Sequence, residues 1–196
     1  METKQSALMD NCTGLDQSST IRFATGKCSL GFILAARSEK GLCAILLGDD
    51  REALECELRA RFSKAALIPD ADLKVLAKAI AFAEAPASGL DLMLDMRGTA
   101  FQQKVWRALQ EIPAGATESY SSIARRIGAP KAARAVAQAC AANSIAIAIP
   151  CHRAVRNDGA LSGYRCGIAR KRALLEKERV LAHSSNDSAL TFPKII

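Results

Sequence analysis

SYSSIARRIGAPKAARAVAQACAAN, residues 119–143, is the stretch on which the reading of the fold turns. Ser119 can cap a short helix through Ile127, because its hydroxyl can accept from backbone N–H groups in the first turn. Gly128-Ala-Pro130 then makes a tight turn, and a second helix is expected from Lys131 to about Asn143. Two helices joined this closely form a helix-turn-helix, which serves in some proteins to bind DNA and in others only to pack. Seven alanines lie between residues 131 and 142. They give the second helix a smooth face that can approach a surface closely, although alanine is also simply the best helix former. Arg134 projects from this segment with no acidic partner at helical spacing.

Upstream, Thr99-Ala-Phe-Gln102 has the pattern of a capping box, and Phe101, Val105, Leu109 and Ile112 follow at helical spacing, with Trp106 expected in the same core. Pro113-Ala-Gly115 ends that helix. Nearer the start, Ile21–Thr25, Ser29–Ala36 and Leu42–Leu47 are β-prone runs separated by Gly26-Lys27 and Glu39-Lys40-Gly41, which predicts an antiparallel meander. Asp49 or Asp50 can cap a helix through Phe62 with Leu54 and Leu58 on one face, and Asp70 or Asp72 another through Glu84. Leu90–Met96 reads as a strand or a connector. The expected class is α/β in the broad sense, more narrowly α+β. A polar tail at 1–20 precedes a small antiparallel sheet with helices at 21–96, a mainly helical domain with the helix-turn-helix at 97–182, and a tail at 183–196.

The composition, 49% hydrophobic and 24% charged over 196 residues, supports buried cores and argues against disorder. No apolar run is long enough to span a bilayer and the first 20 residues lack a secretory pattern, so the cytoplasm is the expected location and no membrane association is foreseen. Seven cysteines, an odd number with no C-x-x-C pair, suggest neither a disulfide framework nor a zinc site. Cys28, Cys43 and Cys56 are read as small core residues. With His152 and His183 as the only histidines, no metal is expected, and no cofactor either. Charge is unevenly placed: residues 1–96 carry 11 basic and 14 acidic residues, whereas 97–182 carry 15 and 5. A basic block of this kind either meets a polyanion such as nucleic acid or is a solvated surface.

Downstream of Asn143, Ile145, Ile147 and Ile149 alternate with alanines and predict a short strand that Pro150 ends at Cys151-His152-Arg153. A thiol attacks as thiolate and needs a base or a positive environment, which His152 and Arg153 could supply. Adjacent side chains of an extended chain point to opposite faces, so His152 could serve Cys151 only through a turn or a bridging water. Arg156-Asn-Asp-Gly159 reads as a hairpin-type turn, and a basic helix is expected from about Ile168 to Val180. Glu178 lies among its lysines and arginines, where a solvated salt bridge is the ordinary role.

Taken together, Ile149-Pro-Cys-His-Arg153, Asp158-Gly159, Ser162-Gly163-Tyr164, Gly167 and Leu174-Leu175 resemble the active-site signature of the O6-alkylguanine-DNA alkyltransferases. Phe101-Gln102, Val105-Trp106, Tyr120, Lys131-Ala-Ala-Arg134 and Ala141-Ala-Asn143 fall in that family's order and spacing. The similarity spans roughly Ile21 to Val180 and is strongest to the catalytic half of Ada-type members. The resemblance implies irreversible, stoichiometric transfer of a methyl or other alkyl group from O6-alkylguanine in double-stranded DNA, and also from O4-methylthymine, by a monomer bound in the minor groove. Cys151 would be the acceptor, His152 a water-relayed base and Glu178 the acid that orients the imidazole, while Asn143 would hold the turn at Pro150 and Cys151. Tyr120 would donate a hydrogen bond to the flipped guanine, and Arg134 would fill the gap that it leaves. Backbone groups of Cys151, Ala154 and Arg165 would line the base pocket, and Cys166, two residues after Tyr164, its alkyl side. A bulky Trp stands at the Cys166 position in some relatives, so a roomy pocket is expected. Ala154 replaces the family's usual Val. The four-cysteine zinc domain that regulatory Ada-type proteins carry ahead of this unit has no counterpart, so no transcriptional role or phosphotriester repair is expected.

Two other classes would use some of these residues. A cysteine hydrolase would also pair Cys with His, but it would turn over through a hydrolysable acyl intermediate and would need a peptide-binding signature. A DNA-binding module without chemistry would explain the basic half but would not require Cys151.

Overall fold

The β-prone runs form strands β1 (Thr20–Cys28), β2 (Gly31–Ser38) and β3 (Gly41–Gly48), paired antiparallel in sequence order as the meander predicts. The computed structural model describes residues 20–70 and 73–187, so most of the expected 1–20 tail lies outside it. A fourth strand that the periodicity does not predict, β4 (Ala66–Pro69), runs parallel to β1. The sheet is therefore mixed rather than purely antiparallel, in the order β3-β2-β1-β4. In β3 the register slips beside Ala36 and Arg37, so that Cys43 is a bulged residue without a Cα partner. The bulge turns Cys43 and Ala44 toward the same face.

Alternation along the strands gives the sheet two apolar faces. Leu34, Ala36, Ala44 and Leu46 pack with Leu54 and Leu58 of α1 (Arg51–Arg61) on one side. Asp50 is the cap, accepting from the Ala53 N–H at 2.7 Å. On the other side Ile33, Ala35, Ile45 and Leu47 join Leu76 and Ala79 of α2 (Leu73–Glu84) in a cluster that continues without a break through Val105, Trp106, Ile123, Val136, Ile149 and Leu174. Asp72, one of the two caps foreseen for α2, lies outside the described residues. Asp70 turns its carboxylate to Arg37 Nε at 3.3 Å.

The second half opens with the capping box in place: Thr99 caps α3 (Ala100–Gln110) and Gln102 reaches back to the Thr99 N–H. Helix α4 (Tyr120–Arg126) is capped by Ser119 and is followed by Gly128, whose φ of +75° lets the chain reverse before α5 (Ala133–Ala142). A two-residue parallel pair joins β5 (Glu118–Ser119) to β6 (Ala154–Val155). Helix α6 runs from Ile168 to Asp187, beyond the Val180 end foreseen, since neither glycine nor proline interrupts the sequence there. Of the three cysteines read as core residues, Cys43 is buried and Cys28 half-buried, but Cys56 is exposed on α1. Among the described residues no helix is long and apolar enough to cross a membrane.

Candidate active site

The strand expected at Ile145–Ile149 does not form. Ile149 N donates to Ile145 O at 3.0 Å and Ala148 N to Ala146 O at 2.8 Å, and Ile147 takes a left-handed φ of +69°. The alternating isoleucines are all buried, but as apolar knobs of a compact loop. The reason is the shortage of ladder partners, for the loop meets the β3 edge only at Ile45, where Ile45 N donates to Ser144 O and Ala146 N to Ile45 O. At the other end of the same edge, Leu42 pairs with Leu94 of the 90–96 connector. The edge of the first-half sheet therefore sets the position of the loop that leads to the thiol.

Cys151 begins a single 3-10 turn through Arg153, so Cys151 and His152 are not neighbours on an extended chain. Its residue is 6% exposed. Asn143 donates from Nδ2 to Ile149 O at 2.9 Å and to Cys151 Sγ at 3.3 Å, while its Oδ1 accepts from Ile145 N at 2.9 Å. One amide thus spans both ends of the loop. Burial pushes the thiol up to about 11 against the pull of the Asn143 hydrogen bond.

His152 and Glu178 are both fully buried, with Nε2 and Oε1 2.8 Å apart. Burial lowers the His152 pKa although Glu178 opposes it, so the ring is neutral and donates Nε2–H to the carboxylate. The lone pair then sits on Nδ1, which has no partner among the described residues. Glu178 also accepts from Arg153 Nη2 at 2.8 Å and from Gly115 N at 3.1 Å. Burial alone would raise its carboxyl, but the hydrogen bonds from His152 and Arg153 prevail and hold it at about 2. Glu178 is thus no solvated residue of a charged helix.

Cys151 lies in the lining of a cavity of about 450 Å³, together with Ala137, Cys140 and Ala141 of α5, Tyr120 at the start of α4, and the 162–165 segment. The Tyr120 hydroxyl accepts from Ser162 Oγ at 3.2 Å, and the Tyr164 ring stands edge-on to His152 at 6.4 Å. Ala154 and Cys166 are buried but do not line this cavity. The Ala154 carbonyl instead accepts from Lys171 Nζ at 2.5 Å, and the Cys166 carbonyl from Arg170 Nη1 at 2.9 Å. Arg134 is exposed near the start of α5. Two larger hollows, of about 570 and 490 Å³, reach Asn143 and Arg153 from outside but do not include the thiol.

Sequence reasoning gave Lys171 no part, yet it is fully buried, donating to Ala154 O and, at 3.1 Å, to Ser162 O, with its Nζ 6.0 Å from the centre of the Tyr120 ring. Its signal was present: Lys171, Leu174 and Glu178 fall on one face of a helix and are its buried stripe.

Residues 100–180 match the family described as 6-O-methylguanine DNA methyltransferase, DNA binding domain. The crystal structure of O6-methylguanine methyltransferase from Mycobacterium tuberculosis aligns with a TM-score of 0.67 and 37% identity, covering 82% of this chain and 94% of that one. The chain belongs to the O6-methylguanine-DNA methyltransferase family. It is 54% identical over 161 residues to the bifunctional transcriptional activator/DNA repair enzyme Ada of Escherichia coli, covering 81% of this chain and 45% of Ada. It is 60% identical over 89 residues to the methylated-DNA--protein-cysteine methyltransferase of Mycobacterium bovis, covering 45% of this chain and 54% of that protein. The chain thus spans about half the length of the curated relatives it matches. A structure of the M. tuberculosis protein OGT in complex with DNA aligns at a TM-score of 0.65 and 38% identity, covering 81% of this chain and 93% of that one.

Proposed function

We propose that this protein repairs alkylated DNA by moving the alkyl group from O6 of guanine to Cys151 Sγ, once per molecule. The observation that carries the reading is a thiol on the wall of a cavity beside a buried His152–Glu178 pair whose open ring nitrogen is a base. Burial, which pushes the thiol up to about 11, keeps it protonated at neutral pH. His152 Nδ1 therefore takes the proton, through a water, as Sγ attacks the alkyl carbon and the carbon–O6 bond breaks. The guanine leaves with the bonding pair, and the imidazolium is stabilised by Glu178. Asn143 orients the sulfur. Tyr120 donates to the base, and backbone groups of Cys151 and Arg165 with the Tyr164 side chain hold it, while Ala154 and Cys166, buried outside the lining, back the pocket from behind. The thioether product offers water no activated carbonyl, so turnover ends at one. O4-methylthymine is a second substrate on the same chemistry.

The base must leave the helix to reach the cavity, which costs a few kcal/mol. Supporting a minor-groove approach by a monomer, α4 and α5 act as a helix-turn-helix, the small residues of α5 permit close contact, and Arg134 fills the space left by the base. In this division of labour, residues 97–182 bind and react, and residues 21–96 support them. The test is mass spectrometry after incubation with a duplex containing O6-methylguanine. One methyl group should appear on the peptide holding Cys151 and none in Cys151→Ala. Arg134→Ala should slow the duplex reaction at least about tenfold and leave free O6-benzylguanine unaffected, since a free base needs no extrusion. Label on another cysteine, or more than one methyl per molecule, would refute the mechanism.

A further inference from the structure

The cavity wall opposite α5 has no regular backbone structure: residues 161–164 are irregular and 165–166 form a turn. A segment without a hydrogen-bonded ladder keeps its place through side-chain ties; those from Ser162 stay within the second half, but another leads out of it. Arg165, itself part of the cavity lining, pairs through Nη1 with Oε1 of Glu57 on α1. The same Oε1 accepts from Arg61 Nε at 2.8 Å, one helical turn further along. Arg61 Nη1 then reaches the Ala142 carbonyl at 3.4 Å and Ser144 Oγ at 3.3 Å, either side of the Asn143 that donates to the thiol.

We propose that Glu57 is a positioning residue for the transfer to Cys151: one carboxylate oxygen on the noncatalytic helix α1 holds Arg165 in one wall of the cavity and Arg61 against the Asn143 corner. The proposal rests on the reading of Cys151 as alkyl acceptor. Glu57 acts through the geometry of these two arginines rather than by contact with the reacting atoms. The three side chains are 15 to 32% exposed, which shields them from much of the screening that makes surface pairs weak. A second tie supports the same wall, for Arg170 reaches both the Cys166 carbonyl and, at 2.7 Å, the Leu30 carbonyl in the β1–β2 turn.

Glu57→Gln keeps the shape of the side chain and removes the charge. Three readings are taken on the full chain: the rate of transfer from free O6-benzylguanine, the rate at which iodoacetamide labels the Cys151 peptide, and the thermal midpoint. Glu57→Gln should slow transfer about tenfold, the scale expected when a reactive pocket loses part of its alignment. It should speed iodoacetamide labelling several-fold, because a loosened wall admits a small reagent, while the midpoint moves little. Arg165→Gln should match it, and the double variant should be no slower than either single one, as members of one network behave. An unchanged transfer rate, losses that multiply in the double variant, or a rate that falls only in step with the midpoint would overturn the proposal. If the wild-type chain transfers no alkyl group, the functional reading fails by itself, and faster labelling of Cys151 in both single variants still decides whether Glu57 holds the wall.

Discussion

Glu178 and Glu84 are both held at about 2, and they reach that value by opposite routes. Glu84, 43% exposed, is lowered first by Lys177 Nζ at 2.6 Å, with help from the Ser29 hydroxyl and N–H. Water competes for every one of those contacts. Glu178 has no exposed surface, and its burial works against ionisation, so its charge survives only because His152, Arg153 and Gly115 surround it. One ion pair ties α6 to α2 and the β1–β2 turn. The other joins Glu178 to His152 and Arg153, in the turn that begins at Cys151. The lesson is that a low carboxylate pKa does not by itself mark function; what matters is whether the charge could persist without its partners.

The largest test of this contrast is Glu178→Ala, which leaves the Arg153 guanidinium buried without a counter-charge and His152 without an acceptor. We expect a loss of about 3 to 5 kcal/mol, the usual cost of breaking a buried pair from one side, read from urea unfolding, together with loss of alkyl transfer. A loss no greater than that of Glu84→Ala would erase the distinction.

Acid titration sharpens it next. A carboxyl at about 2 in the folded chain and 4.5 in the unfolded one contributes about 3 kcal/mol that is fully present above pH 4.5 and fades as pH falls toward 2. His152 acts in the same direction from higher pH, because its folded pKa lies below the ordinary 6.5 and only the unfolded chain gains its proton readily. Unfolding free energies measured from pH 7 to 3 should therefore begin to fall near 6.5 and steepen below 4.5. In Glu178→Gln the second step should shrink to the smaller part that Glu84 and other carboxylates supply.

The smallest expected effect is that of Glu84→Gln: under about 1 kcal/mol, since an exposed pair is screened by solvent, and close to zero in 1 M salt. Its fall below pH 4.5 should be only slightly shallower than that of the wild type, far less altered than in Glu178→Gln. A salt-resistant loss would mean that the Lys177 contact behaves as a buried pair.

Local chemistry was legible in the sequence and long-range pairing was not. The caps at Asp50, Thr99 and Ser119 and the buried Leu54 and Leu58 follow from spacings within one or two turns, and the structure has them. Strand β4 is four residues ending in Pro69 and exists by pairing with β1, more than forty positions earlier. The Ile145–Ile149 alternation was a true sign of burial and a false sign of a strand, since period two reports which side chains are buried only once a ladder exists. The thiol, the imidazole and their neighbours in sequence could be found by motif. Lys171 was lost in a charged run because its burial depends on carbonyls supplied by Ala154 and Ser162.

The apolar cluster that passes unbroken from Ile33 on the sheet to Leu174 on α6 makes the two halves of the chain a single cooperative body. Heat should meet one transition, and a protease cut in the 85–99 connector should leave the fragments associated until the whole core opens. For a chain whose proposed chemistry marks it permanently after one event, the shared core has a further consequence. Any strain that a thioether at Cys151 placed on its pocket should therefore lower that one transition rather than split it in two.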